Sequence, residues 1–579
     1  MNRTATTTYR ALLLCAAGAL LAGCVQMPSE GPVEVPQVSA ATDDLPGFAF
    51  DPRPPQPGES ASDVVTGFLE AMRATPVRTT VARQYLSSAA ADEWQPEQQI
   101  ITYSEIGSSS GGTAVQIPMT DVNLYDARGA WQRTQKARVL SLGLVQEDGE
   151  WRIDEVPDAL IVPDSWFDDT YERVSLYFFD PTTQVLVPEP VFVPRGDPFA
   201  SSLVRGLLIA PNAESEQVVR SYFPSGATLG LSVPITSGIA EVSLTGDPGA
   251  VDQETGERML AQLVWTLRQD PRINAVRLTV GERAISFQSG SPLVPLSVGT
   301  FYDPNGVDAS GDLFALSDGR VVSGDVGAFK PTLGPLGQTD TGARSIGVSI
   351  PGTRVAAVSG DGTQLSVAPT EAAGGQAVTV VAGAVDLSAP SWDVRDRIWV
   401  LDRNGGRARV LVVQDGVSSA VDVPGVGDRT VTRLLVSRDA SRLVAVVRGP
   451  RTDRVVALRI RYDEAGALLG FGEPQVLPLP VEGSPRIRDI GWRSPTTVSV
   501  LSVADDFSQV RTVSVDGAPG EIATGGTTRL RFRTRTLVSA PVEGSDVYAL
   551  AGRTVIDLTH PERSVPDLAR GITGLTFVG

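Results

Sequence analysis

The spacing of hydrophobic residues changes several times along the chain, and each change marks a different kind of segment. Residues 11–21 form an unbroken run of small and apolar side chains behind Arg3 and Arg10. That run suits the core of a signal peptide and falls short of the ~20 apolar residues of a spanning helix. Between Val25 and Ser60 the periodicity vanishes and eight prolines take its place. A proline-rich chain leans to polyproline II at ~3.1 Å per residue, so ~35 residues reach on the order of 100 Å. Helical spacing then begins: Ser60 or Ser62 can cap a helix carrying Val64, Val65, Phe68, Leu69 and Met72 on one face. A shorter helix over 81–86 follows, with Tyr85 and Leu86 as inward candidates. Alternation predicts strands over 113–124, 137–146 and 151–156, the last after an Asp148-Gly149 turn.

Residues 174–290 mix both periods. A strand over 174–179 precedes a helix over 198–209, and Ser221-Tyr222-Phe223-Pro224 leads into paired strands over 227–233 and 239–244. The helix over 256–269 has Met259, Leu260, Leu263, Val264 and Leu267 as its buried stripe, and a strand over 275–280 closes the unit. Beyond residue 295 the chain repeats strand, turn, strand, turn. Equivalent positions Ile346, Trp392, Leu434 and Trp492 lie 46, 42 and 58 residues apart. A loose period near 45, with about four short strands per unit, is the mark of a β-propeller. About six blades are expected, with residues 572–578 lending an inner strand to the blade begun by 313–316 and 320–323. The expected fold is therefore multidomain: an α+β domain over 61–165, a second α+β domain over 170–292 and an all-β propeller over 295–579. Ahead of them stand a signal peptide over 1–23 and a tether over 24–60.

Gly 58 and Pro 42 among 579 residues agree with a turn-rich, largely β chain. Residues 1–23 hold two arginines and no acid, so their removal takes the net charge from −18 to −20. That sign opposes phosphate backbones, and no basic patch is interleaved with aromatics; nucleic-acid binding is excluded. Cys15 falls inside the leader, which leaves Cys24 as the single cysteine of the mature chain and no disulfide.

Candidate chemistry is sparse. Nucleophilic triads and zinc sites need imidazoles or thiolates that converge, and the chain has one histidine, His560, in a polar turn. Gly107-Ser108-Ser109-Ser110-Gly111 matches G-x-S-x-G formally, but a strand and not a helix follows it, so it reads as a loop. Asp303, Asn305, Asp308, Ser310 and Asp312 are oxygen-rich, yet the sixth and twelfth positions of a calcium loop fall on Asp308 and Phe314; a loose calcium site and a plain entry turn both stay open. Asp168-Asp169 and Asp505-Asp506 read as solvated loop charges, and Gly360-Asp361-Gly362 and Asp402-Arg403-Asn404-Gly405 as hairpin turns. No catalytic residue, metal or cofactor is expected.

Several resemblances add to this. Leu21-Ala22-Gly23-Cys24 resembles the lipobox of bacterial lipoproteins, which implies cleavage between Gly23 and Cys24 and a Cys24 that carries S-diacylglycerol and an N-acyl chain. Two or more chains, at ~0.8 kcal/mol per buried methylene, give stable anchoring, so the expected address is the extracytoplasmic face of the cell membrane. Helices followed by a sheet ending in Gly149-Glu150-Trp151-Arg152-Ile153 resemble a nuclear-transport-factor-2-like cone. Tyr177-Phe178, Leu207-Leu208 before Pro211, and Gln262-Leu263-Val264-Trp265-Thr266-Leu267 resemble the GerMN domain, which implies binding in the cell envelope. The whole arrangement resembles the LpqB family of actinobacterial lipoproteins. That resemblance implies an accessory of the MtrA–MtrB two-component system that contacts the extracellular domain of the sensor histidine kinase. The residues alone indicate a tethered, non-catalytic binding scaffold. They leave open a receptor for peptidoglycan or another cell-wall glycan, with Trp392, Trp399 and Trp492 as aromatics to inspect, and a sugar-cleaving carboxylate pair inside the propeller.

Overall fold

Ser60 opens the first helix by a reciprocal cap. Its hydroxyl accepts from Asp63 N while the Asp63 carboxylate accepts from Ser60 N, which opens helix α1 (Ala61–Ala71). The computed structural model describes residues 50–110, 112–211, 217–287, 290–479, 486–504, 507–519, 528–531 and 533–579. The expected signal peptide, Gly23, Cys24 and most of the tether lie outside the described residues, as do Gly111, Asp505 and Asp506.

Val64, Val65, Phe68 and Leu69 of α1 are buried as their spacing predicts, and Met72 caps its end. The second expected helix is only Thr80–Arg83 (α2), and a third, α3 (Ser88–Glu93), follows it. The strands are β1 (Gln99–Tyr103), β2 (Ala114–Asp126), β3 (Trp131–Glu147), β4 (Glu150–Glu155) and β5 (Leu160–Pro163), in the order β4-β3-β2-β1-β5. Strand β5 pairs parallel to β1, whereas the other neighbours are antiparallel. The short helix α4 (Asp164–Thr170) then hands the chain to the second body.

That body opens with a ribbon of β6 (Tyr171–Phe179) and β7 (Leu186–Pro194), followed by α5 (Phe199–Leu208). Strand β7 contains Pro188, Pro190 and Pro194, three residues that sequence patterning reads as breakers. Amides point alternately to the two edges of a strand, so prolines at even positions remove donors only from the edge away from β6. Consistently, Phe192 N leaves the ribbon to meet Gly129 O at 2.9 Å. Strand β8 (Ile239–Leu244) pairs parallel with β9 (Ala275–Val280), and α6 (Gln253–Leu267) supplies the crossover between them. Strands β10 (Arg283–Ile285) and β11 (Leu293–Pro295) both join β9. All five residues of the expected α6 stripe are fully buried. The expected strand over 227–233 does not form: Gly230 and Pro234 interrupt it, Leu231 is 98% exposed, and one bridge from Leu229 to Leu244 remains. The partner of β8 on that side is the two-residue strand Ile235–Thr236.

The remaining described strands form six antiparallel sheets. Sheet I holds Leu313–Ser317, Arg320–Gly324 and Lys330–Pro331; sheet II starts at Ser345–Val348, III at Ser391–Trp392, IV at Val431–Val436, V at Arg486–Ser494 and VI at Thr536–Val538. The C-terminal strand Ile572–Thr576 pairs with Leu313–Ser317, so it completes sheet I from the far end of the chain. Separate apolar clusters join I to II, II to III, III to IV, IV to V, V to VI and VI back to I. This is the β-propeller expected from the repeat.

Candidate functional site

Antiparallel strands that run alternately up and down a blade place the first and third turns on one face of a propeller. The second body is attached to that face through charged side chains. Arg395, in the first turn of sheet III, donates to the Asp180 carboxylate and to Thr182 Oγ1 at 3.0 Å. Arg442, where sheet IV's second strand begins, donates to Pro188 O at 2.7 Å and to Glu189 Oε1 at 3.2 Å; Arg459 donates to the same Glu189 oxygen. Burial tends to raise the Glu189 carboxyl, but Arg459 and Arg442 outweigh it and hold the group below its ordinary range. Burial, helped by the neighbouring Arg459 charge and opposed by Glu189, brings Arg442 down to about 10, and the guanidinium stays charged. Arg220 pairs with Glu464 at 2.6 Å, and Arg173 lies 3.5 Å from Asp516. Arg438 is buried and donates to Val578 O at 2.6 Å, which ties sheet IV to the C-terminus.

Helix α6 braces this arrangement with an unexpected polar stripe. Gln262 accepts from Tyr222 N at 2.9 Å and donates to Tyr177 O at 3.1 Å; Thr266 accepts from Tyr177 N at 3.1 Å; Gln269 accepts from Ser175 N at 2.8 Å. Gln262 and Thr266, four residues apart on one face of α6, and Gln269 just past its end together satisfy the edge of β6 that no strand covers. The apolar stripe of α6 is legible in the sequence; this second stripe hides among residues that read as solvent-facing.

A groove of about 420 Å³ opens where the β6–β7 turn (Gln184, Val185), the 301–308 connection and the first turns of sheets II and III meet. Phe301 and Val307 line it at 52% and 56% exposure, beside Asp303, Asp308 and Asp396. Burial pushes the Asp303 carboxyl up, while its Oδ1 accepts from Asn305 N at 2.8 Å. Of the oxygen-rich cluster expected here, Asp303 thus closes a turn on Asn305, and Ser310 Oγ accepts from Asp312 N at 3.2 Å. Arg354 on the opposite wall pairs with Asp396 and stacks over Trp392, 4.9 Å from its ring centre. The groove thus sets exposed apolar side chains beside carboxylates and the guanidinium groups of Arg354 and Arg395.

Other sequence candidates are accounted for locally. Trp392, Trp399 and Trp492 are 1%, 1% and 5% exposed, so they form core and no open aromatic platform. Trp399 Nε1 donates to Asp393 Oδ2 at 2.8 Å and Trp492 Nε1 to Val436 O at 3.1 Å. Ser109 Oγ meets Ser62 Oγ at 2.7 Å and Ser110 bridges to Gln116, so this stretch is a loop-to-strand entry. Asp168 is raised by burial and by the neighbouring Asp164 and Asp169. His560 is half-exposed, with Nδ1 3.4 Å from Asp546 Oδ1. Among the described residues no helix is long and apolar enough to cross a membrane.

Three family models match in chain order: Lipoprotein LpqB, N-terminal domain, over residues 54–168; Sporulation and spore germination (Germane) over 175–286; and Lipoprotein LpqB beta-propeller domain over 319–563. Proteins named Lipoprotein LpqB are similar over nearly the whole chain. The one from Thermobifida fusca is 26% identical over 89% of this chain and 91% of its own. The one from Streptomyces coelicolor is 28% identical over 87% of each, and that of Mycobacterium tuberculosis 28% identical over 89% and 90%. Among solved structures, the first GerMN domain of the sporulation protein GerM from Bacillus subtilis aligns at 21% identity and TM-score 0.18, over 22% of this chain and 94% of that one.

Proposed function

Since the chain belongs to the LpqB lipoprotein family, we propose that it is a non-catalytic binding scaffold, held on the extracytoplasmic face of the cell membrane by lipid on Cys24. Its partner in this reading is the extracellular domain of a two-component sensor kinase, whose response to envelope and division status it adjusts. The observation that carries the proposal is the domain series itself, an LpqB N-terminal domain, a Germane domain and an LpqB propeller behind Leu21-Ala22-Gly23-Cys24. Anchoring confines the scaffold to the layer where the kinase domain sits and raises its local concentration without new contacts. Signalling then shifts only by the difference in affinity for the two kinase states. The groove around Phe301 and Val307 is the surface we assign to the contact, because two domains build it jointly and it exposes apolar side chains beside acids. A glycan receptor is the weaker reading, since the three tryptophans it would use are core.

Co-purification from membranes tests the proposal, with wild type, Cys24→Ala and a Phe301→Ser/Val307→Ser double variant as bait. Recovery of a sensor kinase with wild type, reduced for both variants, supports anchor and groove together. Recovery that is unchanged by the double variant moves the contact elsewhere on the scaffold. Wall fragments without any kinase would sink the signalling role in favour of the receptor.

A further inference from the structure

The single histidine of the chain stands against two aspartates that sequence distance separates from it by 14 and 3 residues. Asp557 ends the strand Thr554–Asp557 of sheet VI and is 3% exposed. Its Oδ1 accepts from Thr559 N at 2.8 Å and His560 N at 2.9 Å, which fixes the turn and leaves Oδ2 buried with no hydrogen-bond partner. That Oδ2 lies 3.9 Å from His560 Nδ1, beyond hydrogen-bond reach. Asp546 repeats the arrangement. Its Oδ2 accepts from Tyr548 Oη at 2.7 Å and Arg563 Nη1 at 3.1 Å, and its Oδ1 faces His560 Nδ1 at 3.4 Å.

Each carboxylate therefore has one oxygen held by outer donors and one turned toward the same imidazole nitrogen, the three atoms lying within 4.8 Å of one another. One N–H cannot serve both oxygens, and the buried Oδ2 of Asp557 stays uncompensated, a costly state for a charged group. Ligands at ~2.0–2.1 Å from a tetrahedral ion sit roughly 3.3 Å apart, so about 1 Å of closure completes a three-ligand set. We propose that Asp546, Asp557 and His560 bind a divalent transition-metal ion of the zinc class. Imidazole among the ligands disfavours calcium and magnesium, which take oxygen cages. The outer bonds from Tyr548, Arg563 and the turn amides are the kind that orient metal ligands. A structural role fits the place: among the described residues sheet VI has three paired strands, and the ion would reinforce the Leu558 N to Val547 O, Val547 N to Thr559 Oγ1 and Thr559 Oγ1 to Ser545 O bonds that hold the chain after Asp557 against the 540–547 loop.

The test uses the untagged, detergent-solubilised full chain, stripped with chelator and loaded with zinc chloride alone. Metal content after gel filtration is expected at one zinc per chain, with at least a tenfold loss of affinity in both His560→Ala and Asp557→Asn, and none in Glu562→Gln. Asp557→Asn keeps an oxygen for the turn amides, so it separates loss of ligand from loss of fold. Cobalt loading should give a visible d–d absorption that disappears in His560→Ala. Zinc retained equally by His560→Ala, or no zinc retained by a folded wild-type chain, overturns the site; calcium binding indifferent to His560 would reduce it to an acidic surface.

Discussion

Replacing Glu189 by glutamine tests whether the second body is clamped to the propeller by charge. The glutamine keeps the shape and one acceptor but leaves Arg442 and Arg459 without their shared carboxylate. Removing one partner of a fully buried pair costs ~3–5 kcal/mol. Here Arg442 is 4% exposed, but Glu189 and Arg459 are 23% and 29% exposed, and Arg442 retains Pro188 O. Water screens part of the loss, so about 2 kcal/mol is expected at neutral pH. The pH dependence fixes the cause. Glu189 is held below its ordinary range, so its contribution is complete above the unfolded carboxylate value of about 4.3 and fades as the pH falls through the lower folded one. Urea unfolding followed by tryptophan fluorescence at pH 7 and again near pH 3 should show a gap between wild type and Glu189→Gln that narrows in acid. Equal midpoints at pH 7, or a gap of the same size at both pH values, would refute the charge-clamp argument.

Three further outcomes follow from the same contacts. Trp399→Phe removes a donor from the buried Asp393 carboxylate and should cost about 1–3 kcal/mol, whereas Trp392→Phe, whose Nε1 has no partner to lose, should cost less; urea midpoints compare the two. Gly129→Ala should lower the thermal midpoint by several degrees, because Gly129 has φ +83° and an added Cβ would lie 2.1 Å from Phe192 O at the joint between the first two bodies. Deleting residues 572–579 removes the strand that completes sheet I together with the Gly579 N to Val348 O and Arg438 to Val578 O bonds, and near-ultraviolet circular dichroism should show loss of fixed packing in the propeller.

Legibility in the sequence followed the reach of each signal. The α6 stripe and the strands of the repeat were readable because side chains three to four or two positions apart report burial directly. Strand β7 was not, since three prolines mask a strand whose outward edge needs few donors. The expected strand over 227–233 had suitable side chains, but glycine and proline deny it a continuous ladder. Helix α3 escaped because Ser-Ala-Ala-Ala-Asp-Glu carries no apolar stripe. The groove could not be read at all: Val185, Phe301, Ile350 and Asp396 share it only after the second body is seated on the propeller. His560 stands in the sequence as a lone turn residue for the same reason, because its aspartates approach through the pairing of sheet VI and not through a spaced motif.

The seating of the second body also limits where a partner can bind. Arg395, Arg442, Arg459, Glu464 and Asp516, which hold the second body, all belong to first or third turns, or to the strand ends beside them, on one propeller face. Arg442 is buried and Arg395 and Arg459 are half-buried, so releasing the second body would strand the Arg442 charge, and the two domains should move as one on the timescale of an encounter. A partner meeting the propeller therefore has the rim of the groove, where Phe301 and Val307 stand exposed, or the opposite face, formed by the second turns and the connections between sheets. Binding on the rim would touch both domains at once and would be felt by variants that loosen the Glu189 clamp; binding on the opposite face would not. For the kinase contact proposed above, recovery with Glu189→Gln thus separates the two surfaces: a drop assigns contact to the rim, and full recovery assigns it to the far side.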